Sequence, residues 1–199
     1  MKSFKNFLKC ILLFLGCILF STKTIAQNWD INTLKSINPQ DPNSNVWKGF
    51  SHSLYPAAIT APISLLAAGY IKKDKNLQQQ GWEMVGAIVI NTALSQGLKF
   101  AVNRDRPFQT YPNDVYPYRQ DNSASFPSGH TSMAFAVATE LTLDFKKWYV
   151  AVPAYAWAAG VGYSRMYLGE HYPTDVLAGA AVGAGSALLS HWLSKKIFK

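Results

Sequence analysis

Three short stretches of this chain hold side chains whose types and spacing could do chemistry on an anion. The first pairs Lys99 with Arg106-Pro107. Pro107 blocks helical continuation, so both cations stand at a helix end, about two turns apart. Arginine presents a planar fork for two phosphate oxygens, and lysine adds a compact point charge. Arg104 lies between them, with Asp105 and solvent at hand to satisfy it. The second stretch is Phe126-Pro127-Ser128-Gly129-His130. Pro127 and Gly129 break regular structure just before a helix. The first turn of that helix exposes backbone N–H groups and the positive end of its dipole. His130 stands at the edge of this anion site, where a histidine can hand a proton to a leaving oxygen. The third stretch is Ser164-Arg165, His171 and Asp175. Pro173 suits an early position of the final helix, with His171 before that helix and Asp175 in its first turn. Asp175 can then accept a hydrogen bond from one imidazole nitrogen. That fixes the tautomer and leaves the other nitrogen free to attack. The Asp–His pair of serine proteases follows the same orienting logic; here histidine itself would be the nucleophile. Taken singly, each stretch also fits a bland role: a solvated basic helix end, a capping turn, and a cap in which Asp175 merely favours the dipole.

The elements that must carry these residues are helices. Apolar segments run over residues 54–71, 82–102, 131–145, 148–163 and 174–193, with no strand-like alternation. They are rich in Ala, Leu, Val and Gly, which suits closely packed helices in water or in lipid. Two of them reach about 20 residues, long enough to span a bilayer, while the third and fourth are shorter at about 15 or 16. Basic clusters fall at Lys2, Lys5 and Lys9, at Lys72, Lys73 and Lys75, at Lys146-Lys147, and at Lys195, Lys196 and Lys199. If each segment crosses once, all four clusters share one side, the positive-inside pattern. Trp82, Trp148 and Trp192 fall at segment ends on that side. The three chemical stretches then share the opposite, outer side. Glu140 inside the third segment faces the bundle interior or marks that helix as not fully spanning. His52 and His191 show no matching partner in the sequence.

The chain has 199 residues, with 49% hydrophobic and 15% charged residues and a net charge of +8. One domain with a full core fits that length. The low charged fraction sets it apart from an ordinary soluble domain, which carries about 25%. A basic chain suggests an anionic partner, but no zinc-finger spacing, basic helix or long basic run points to nucleic acid. Three lysines, an apolar run over residues 10–20 and the small residues Thr24 and Ala26 form a secretory signal peptide pattern, with an uncleaved anchor helix as the alternative. Both cysteines, Cys10 and Cys17, lie in this leader. That excludes a cysteine nucleophile and a thiolate metal site in the rest of the chain. Residues 27–48 are polar, broken by Pro39 and Pro42, and read as a mobile or short-helical lead-in. The domain organisation expected is residues 1–26 as leader or anchor, 27–48 as lead-in and 49–199 as the helical domain.

The three stretches, in order, closely resemble the motifs of the type-2 phosphatidic acid phosphatase superfamily. Lys99-FAVNRD-Arg106-Pro107 matches K-x6-R-P, Pro127-Ser128-Gly129-His130 matches P-S-G-H, and Ser164-Arg165-MYLGE-His171-YPT-Asp175 matches S-R-x5-H-x3-D. Every fixed position is present. The resemblance implies an all-α bundle of five to six helices, membrane-spanning, with its active site at the outer, periplasmic helix ends. It implies that Lys99, Arg106 and Arg165 hold phosphate oxygens, aided by the backbone N–H groups of Ser128 and Gly129 and the Ser128 hydroxyl. His171 would form a phosphohistidine, Asp175 would orient it, and His130 would protonate the departing oxygen and then activate water. No metal and no other cofactor is expected in this chemistry. The substrate implied is a phosphate monoester or pyrophosphate of a membrane lipid: undecaprenyl pyrophosphate, phosphatidylglycerol phosphate, phosphatidic acid or a lipid A phosphate. Membrane lipids are the surroundings, and no nucleic acid or obligate protein partner is expected. A soluble periplasmic acid phosphatase of broad specificity is the alternative. The loop over residues 108–122, rich in Tyr and Pro, could lie on the membrane surface as a lid.

Overall fold

The computed structural model describes residues 25–197, so the expected leader falls outside the described residues except for its last two positions. All regular structure among the described residues is helical. The elements are α1 (Ile25–Ile37), α2 (Asn45–Ile71), α3 (Lys75–Val102), the single turn α4 (Pro107–Thr110), α5 (Gly129–Phe145), α6 (Trp148–Tyr167) and α7 (Pro173–Ile197). The five long helices end close to where the apolar segments end, at Ile71, Val102 and Phe145 among others. α2 and α3 begin several residues earlier than hydropathy suggests, because their first turns are polar, while α6 begins where its apolar segment does, at Trp148. Asp74 caps α3, accepting from the N–H groups of Asn76 at 2.9 Å and Leu77 at 3.2 Å. Left-handed Asn103 and Lys146 close the far ends of α3 and α5.

The chain reverses direction at each long helix, so the lysine-bearing turns gather at one end and the three chemical stretches at the other. α5 and α7 both leave the chemical end and pack closely. A Cβ on Gly183 would stand 2.0 Å from the Ser132 carbonyl oxygen, and one on Gly179 would stand 2.7 Å from that of Ser128. Only a G-x-x-x-G edge lets the two backbones approach this far. A hydroxyl pair, Ser95 Oγ to Ser132 Oγ at 3.0 Å, joins α3 to the same face of α5.

Burial is inverted relative to a protein in water. Ile59, Ile63, Val89, Phe100, Val152 and Leu177 are exposed, while Ser51, Asn91, Ser95, Thr139, Ser186 and Ser190 are buried. Apolar side chains outside and polar ones inside suit a lipid surround. The stretches Asn45–Ile71, Lys75–Thr110 and Pro173–Ile197 are long and apolar enough to cross a membrane. The 17-residue α5 and the 20-residue α6 are not among these three.

The lead-in is largely ordered. In α1, Ile31 and Leu34 pack against Phe108, Val115 and Tyr172. Asn38, just after α1, donates to the carbonyls of Tyr116 and Tyr167, both at 2.9 Å, and accepts from the Tyr116 N–H at 2.8 Å. The middle of the 108–122 loop is therefore clamped to the bundle rather than lying free as a lid.

Candidate active site

Five elements bring the chemical stretches to one end. Lys99 lies in the last turn of α3 and donates to the Ala124 carbonyl. Arg106 caps α4 and is 2% exposed. Its Nε donates to the Ser123 carbonyl at 2.9 Å, and its Nη2 to Asp121 Oδ2 at 2.7 Å and Ser123 Oγ at 2.9 Å. Arg165, in the last turn of α6, donates from Nη1 to Ser51 Oγ at 2.6 Å. Its Nη2 contacts Glu170, and its buried Nε has no partner. Glu170 stands between the two guanidiniums, with Arg106 Nη1 3.6 Å from its Oε2. Burial raises the Glu170 pKa against the pull of Arg165 and Arg106. Both arginines are thus locked in rotamers fixed from behind, as an anion cradle requires.

His171 sits in the α6–α7 turn, 2% exposed. Burial pushes its pKa down to about 4, against the favourable influence of Asp175, so the ring is neutral at physiological pH. Its Nδ1 is 3.6 Å from Asp175 Oδ2 and 3.5 Å from Ser125 Oγ. The Asp175 carboxylate is held rigidly. It accepts from Ser125 Oγ at 2.5 Å, from the Tyr172 N–H at 3.0 Å and from Arg104 Nη1 at 2.7 Å. Nδ1 therefore faces a fixed acceptor pair, and Nε2 is the nitrogen left for chemistry. His130 opens α5 and packs edge-on against Tyr55, with ring centroids 5.4 Å apart. Burial, reinforced by the charges of Arg165 and Arg106, pushes the His130 pKa down to about 3, so the ring is neutral by itself and needs the charge of an entering phosphate beside it to take up the proton it would donate. So Lys99, Arg106, Arg165, His130, His171 and Asp175 converge at one bundle end.

The Ser128-Gly129 turn differs in one detail. Ser128 does precede α5 as its cap, but its N–H donates to the Asp175 carbonyl at 3.0 Å. That group is spent on joining α5 to α7. The N–H groups of the first turn, beginning with Gly129, have no intrahelical acceptor. Ser128 Oγ accepts from Thr131 Oγ1 at 2.9 Å, which leaves its own hydrogen to donate.

Several residues of the site escaped the sequence. Arg104 is satisfied by two buried carboxylates rather than by Asp105. It bridges Asp175 and Asp30, both at 2.7 Å, and lies 3.8 Å from the Tyr172 ring centroid. Asp30, on α1, also accepts from the Thr174 N–H at 2.9 Å and the Thr174 hydroxyl at 2.5 Å. Ser125, Glu170 and Ser51 complete the set. Glu170 and Arg104 occupy variable positions of the motifs. Asp30 lies beside the core residue Ile31 on α1, in the stretch read as a polar lead-in. Among the described residues, the grouping of histidine and carboxylates with metal-ligand spacing lies at the other end of the bundle.

Known proteins resemble this chain in both sequence and fold. A lipid A 1-phosphatase from Porphyromonas gingivalis is 34% identical over 149 residues, covering 71% of this chain and 30% of that protein. The undecaprenyl-diphosphatase BcrC of Bacillus subtilis is 27% identical over 160 residues, covering 78% of each. The chain spans less than half the length of the first curated relatives it matches. The crystal structure of a transmembrane PAP2-type phosphatidylglycerolphosphate phosphatase from Bacillus subtilis superimposes with a TM-score of 0.72 at 26% identity, covering 96% of this chain and 95% of that one. With the three apolar spans, that likeness places the chain in a membrane. Residues 80–199 match the family model of the PAP2 superfamily, and the chain belongs to that superfamily.

Proposed function

We propose that this chain is a phosphatase that removes phosphate from a membrane lipid through a phosphohistidine on His171. The observation that carries this reading is the convergence of His171, braced by Asp175 and Ser125, with His130 and three cations at one bundle end. Lys99, Arg106 and Arg165 spread the negative charge of the transferring phosphoryl group. Nε2 of neutral His171 forms the bond to phosphorus as the bond to the leaving oxygen breaks, and His130 gives that oxygen a proton. In the second step His130 takes a proton from water, whose oxygen displaces His171 and releases inorganic phosphate. Fixed cations provide the charge stabilisation that metal ions supply in other phosphatases. The relatives' names give the substrate class: a phosphate or diphosphate on a lipid, as in lipid A and undecaprenyl diphosphate. Three apolar spans and an apolar outer surface weigh against the soluble alternative. With the lysine-bearing turns inside, the site faces the periplasm.

The test is phosphate release by purified protein in detergent, with chelator present, well below its unfolding temperature. Substrates are an aryl phosphate, phosphatidic acid, undecaprenyl diphosphate and lipid A, each also tried with His171→Ala. The expected result is release strongest on one lipid and lost in the variant. Undiminished release by His171→Ala would remove the nucleophile assignment. Release from the aryl phosphate alone would restore the soluble-type reading.

A further inference from the structure

The end of the bundle away from the phosphate site holds a second cluster of chemically capable groups. Glu83 of α3, Glu140 and Asp144 of α5 and His191 of α7 present ligand atoms that all lie within 4.8 Å of one another. Glu140 and Asp144 are four residues apart and share one helix face. At a rise of 1.5 Å per residue, Glu140 lies about 15 Å along α5 from His130, and His191 about 24 Å along α7 from Asp175. This cluster is therefore no part of the phosphate site.

Hydrogen bonding inside the cluster is lopsided. Glu83 is satisfied, accepting from Gln79 at 2.8 Å and lying 2.6 Å from His191 Nδ1. Glu140 is 0% exposed, yet neither of its carboxylate oxygens has a hydrogen-bond partner. Asp144 Oδ2 and Gln80 Oε1 are also buried without partners. Four acceptor oxygens are thus orphaned together, with no donor turned toward them. An ionised carboxylate buried in that state is strongly unfavourable, so the arrangement calls for a positive centre between the oxygens.

We propose that Glu83, Glu140, Asp144 and His191 bind one divalent cation of the Mn2+ or Zn2+ type. Three carboxylates favour a hard ion, and the imidazole shifts the preference toward the borderline transition metals. Ligand atoms opposite each other on an ion with bonds of about 2.1 Å are about 4.2 Å apart, so the cluster needs only a small closure. Gln79, which donates to Glu83 at 2.8 Å, is placed to orient that ligand, as outer partners do in bundle metal sites. The ion ties α3, α5 and α7 together, and those helices carry Lys99, His130 and Asp175 at their other ends. Its role is structural, and the phosphate chemistry runs without it.

Metal content and thermal unfolding decide the matter. Protein purified in detergent without chelator should carry about one divalent transition cation per chain. Protein stripped with chelator should regain it from Mn2+ or Zn2+, with an unfolding midpoint raised by about 5 °C at a hundredfold excess over Kd. Glu140→Gln and Asp144→Asn should each lose the cation and the shift while still hydrolysing an aryl phosphate. A wild-type chain with no bound cation, and no midpoint shift in millimolar Mn2+ or Zn2+, overturns the proposal. A shift that persists in the Glu140→Gln, Asp144→Asn double variant overturns it as well. The wild-type titration stands even if a variant fails to fold.

Discussion

Arg104→Gln separates positioning from phosphate binding in this site. Arg104 makes three hydrogen bonds of 2.7 Å, to Asp30, Thr174 and Asp175, and stacks on Tyr172. Its two carboxylate partners are 2% and 0% exposed, so removing the cation strands two buried charges. Breaking a fully buried pair from one side costs about 3–5 kcal/mol. The Arg104 side chain is 25% exposed, and solvent reaching the gap trims that to about 2–3 kcal/mol. The unfolding midpoint should fall by roughly 5–10 °C. In catalysis, Asp175 keeps Ser125 and the Tyr172 N–H but loses the grip on Oδ1, so His171 is held less firmly. Losing an outer partner of this kind costs about 10–100-fold. In steady-state assays on an aryl phosphate, kcat should drop about 30-fold while KM stays within about twofold, since the hydrogen bonds of Arg104 go to Thr174, Asp175 and Asp30. Arg106→Gln, by contrast, should raise KM and lower kcat together. Adding Asp30→Asn to Arg104→Gln should cost much less than Asp30→Asn alone, because the two share one interaction. A raised KM with kcat retained would make Arg104 a phosphate ligand, and an unchanged kcat would end its role as a positioning residue.

Three more outcomes follow from the same geometry. With the His171 pKa lowered to about 4, the acid limb of kcat/KM should fall near pH 4, not near the ordinary histidine value of about 6.5. The folded pKa is below the unfolded one, so the unfolded chain binds the extra proton; this stability is complete above about pH 6.5 and drains as pH falls toward 4. Thermal midpoints should accordingly drop more between pH 7 and 5 in wild type than in His171→Gln, and parallel curves would contradict the buried neutral ring. Gly183→Val should lower the midpoint by about 10 °C or prevent folding, since the Cβ alone meets the Ser132 carbonyl at 2.0 Å, whereas Gly185→Ala meets nothing within 4 Å and should be neutral. A stable Gly183→Val would refute the close α5–α7 contact. His130→Ala should lose about 10²–10⁴-fold on a lipid phosphate, whose alkoxide leaves poorly, but far less on a nitrophenyl phosphate; equal losses would refute the proton-donor assignment.

The parts of this site that the sequence reveals are those set by local geometry. Lys99 and Arg106 are tied by the short link from the end of α3 to the start of α4, Ser128 and His130 by one cap, and His171 and Asp175 by one Pro-started turn. Such spacings are legible because each pair lies within one short segment, whose backbone geometry fixes its reach. The helices were legible for a similar reason, since a lipid surround leaves long apolar runs; the polar first turns of α2 and α3 were not, because a cap such as Asp74 interrupts hydropathy without interrupting the helix. What stayed hidden acts through other protein groups. Asp30 reaches Arg104 across 74 residues and Thr174 across 144, and no local period records such a partnership. Glu140 shows the same limit. Its sequence position allows an inward-facing role or a helix that stops short, and only the packing of α3, α5 and α7 brings Glu83, Asp144 and His191 beside it. His191, without a visible partner in the sequence, finds one in Glu83 at 2.6 Å. On the chemistry proposed above, a residue that meets the phosphate is therefore written into a motif, while a residue that holds the first one still is written only into the fold. Arg104 belongs to the second kind although it sits inside the first motif, between Lys99 and Arg106, which is why its substitution tests the division most directly.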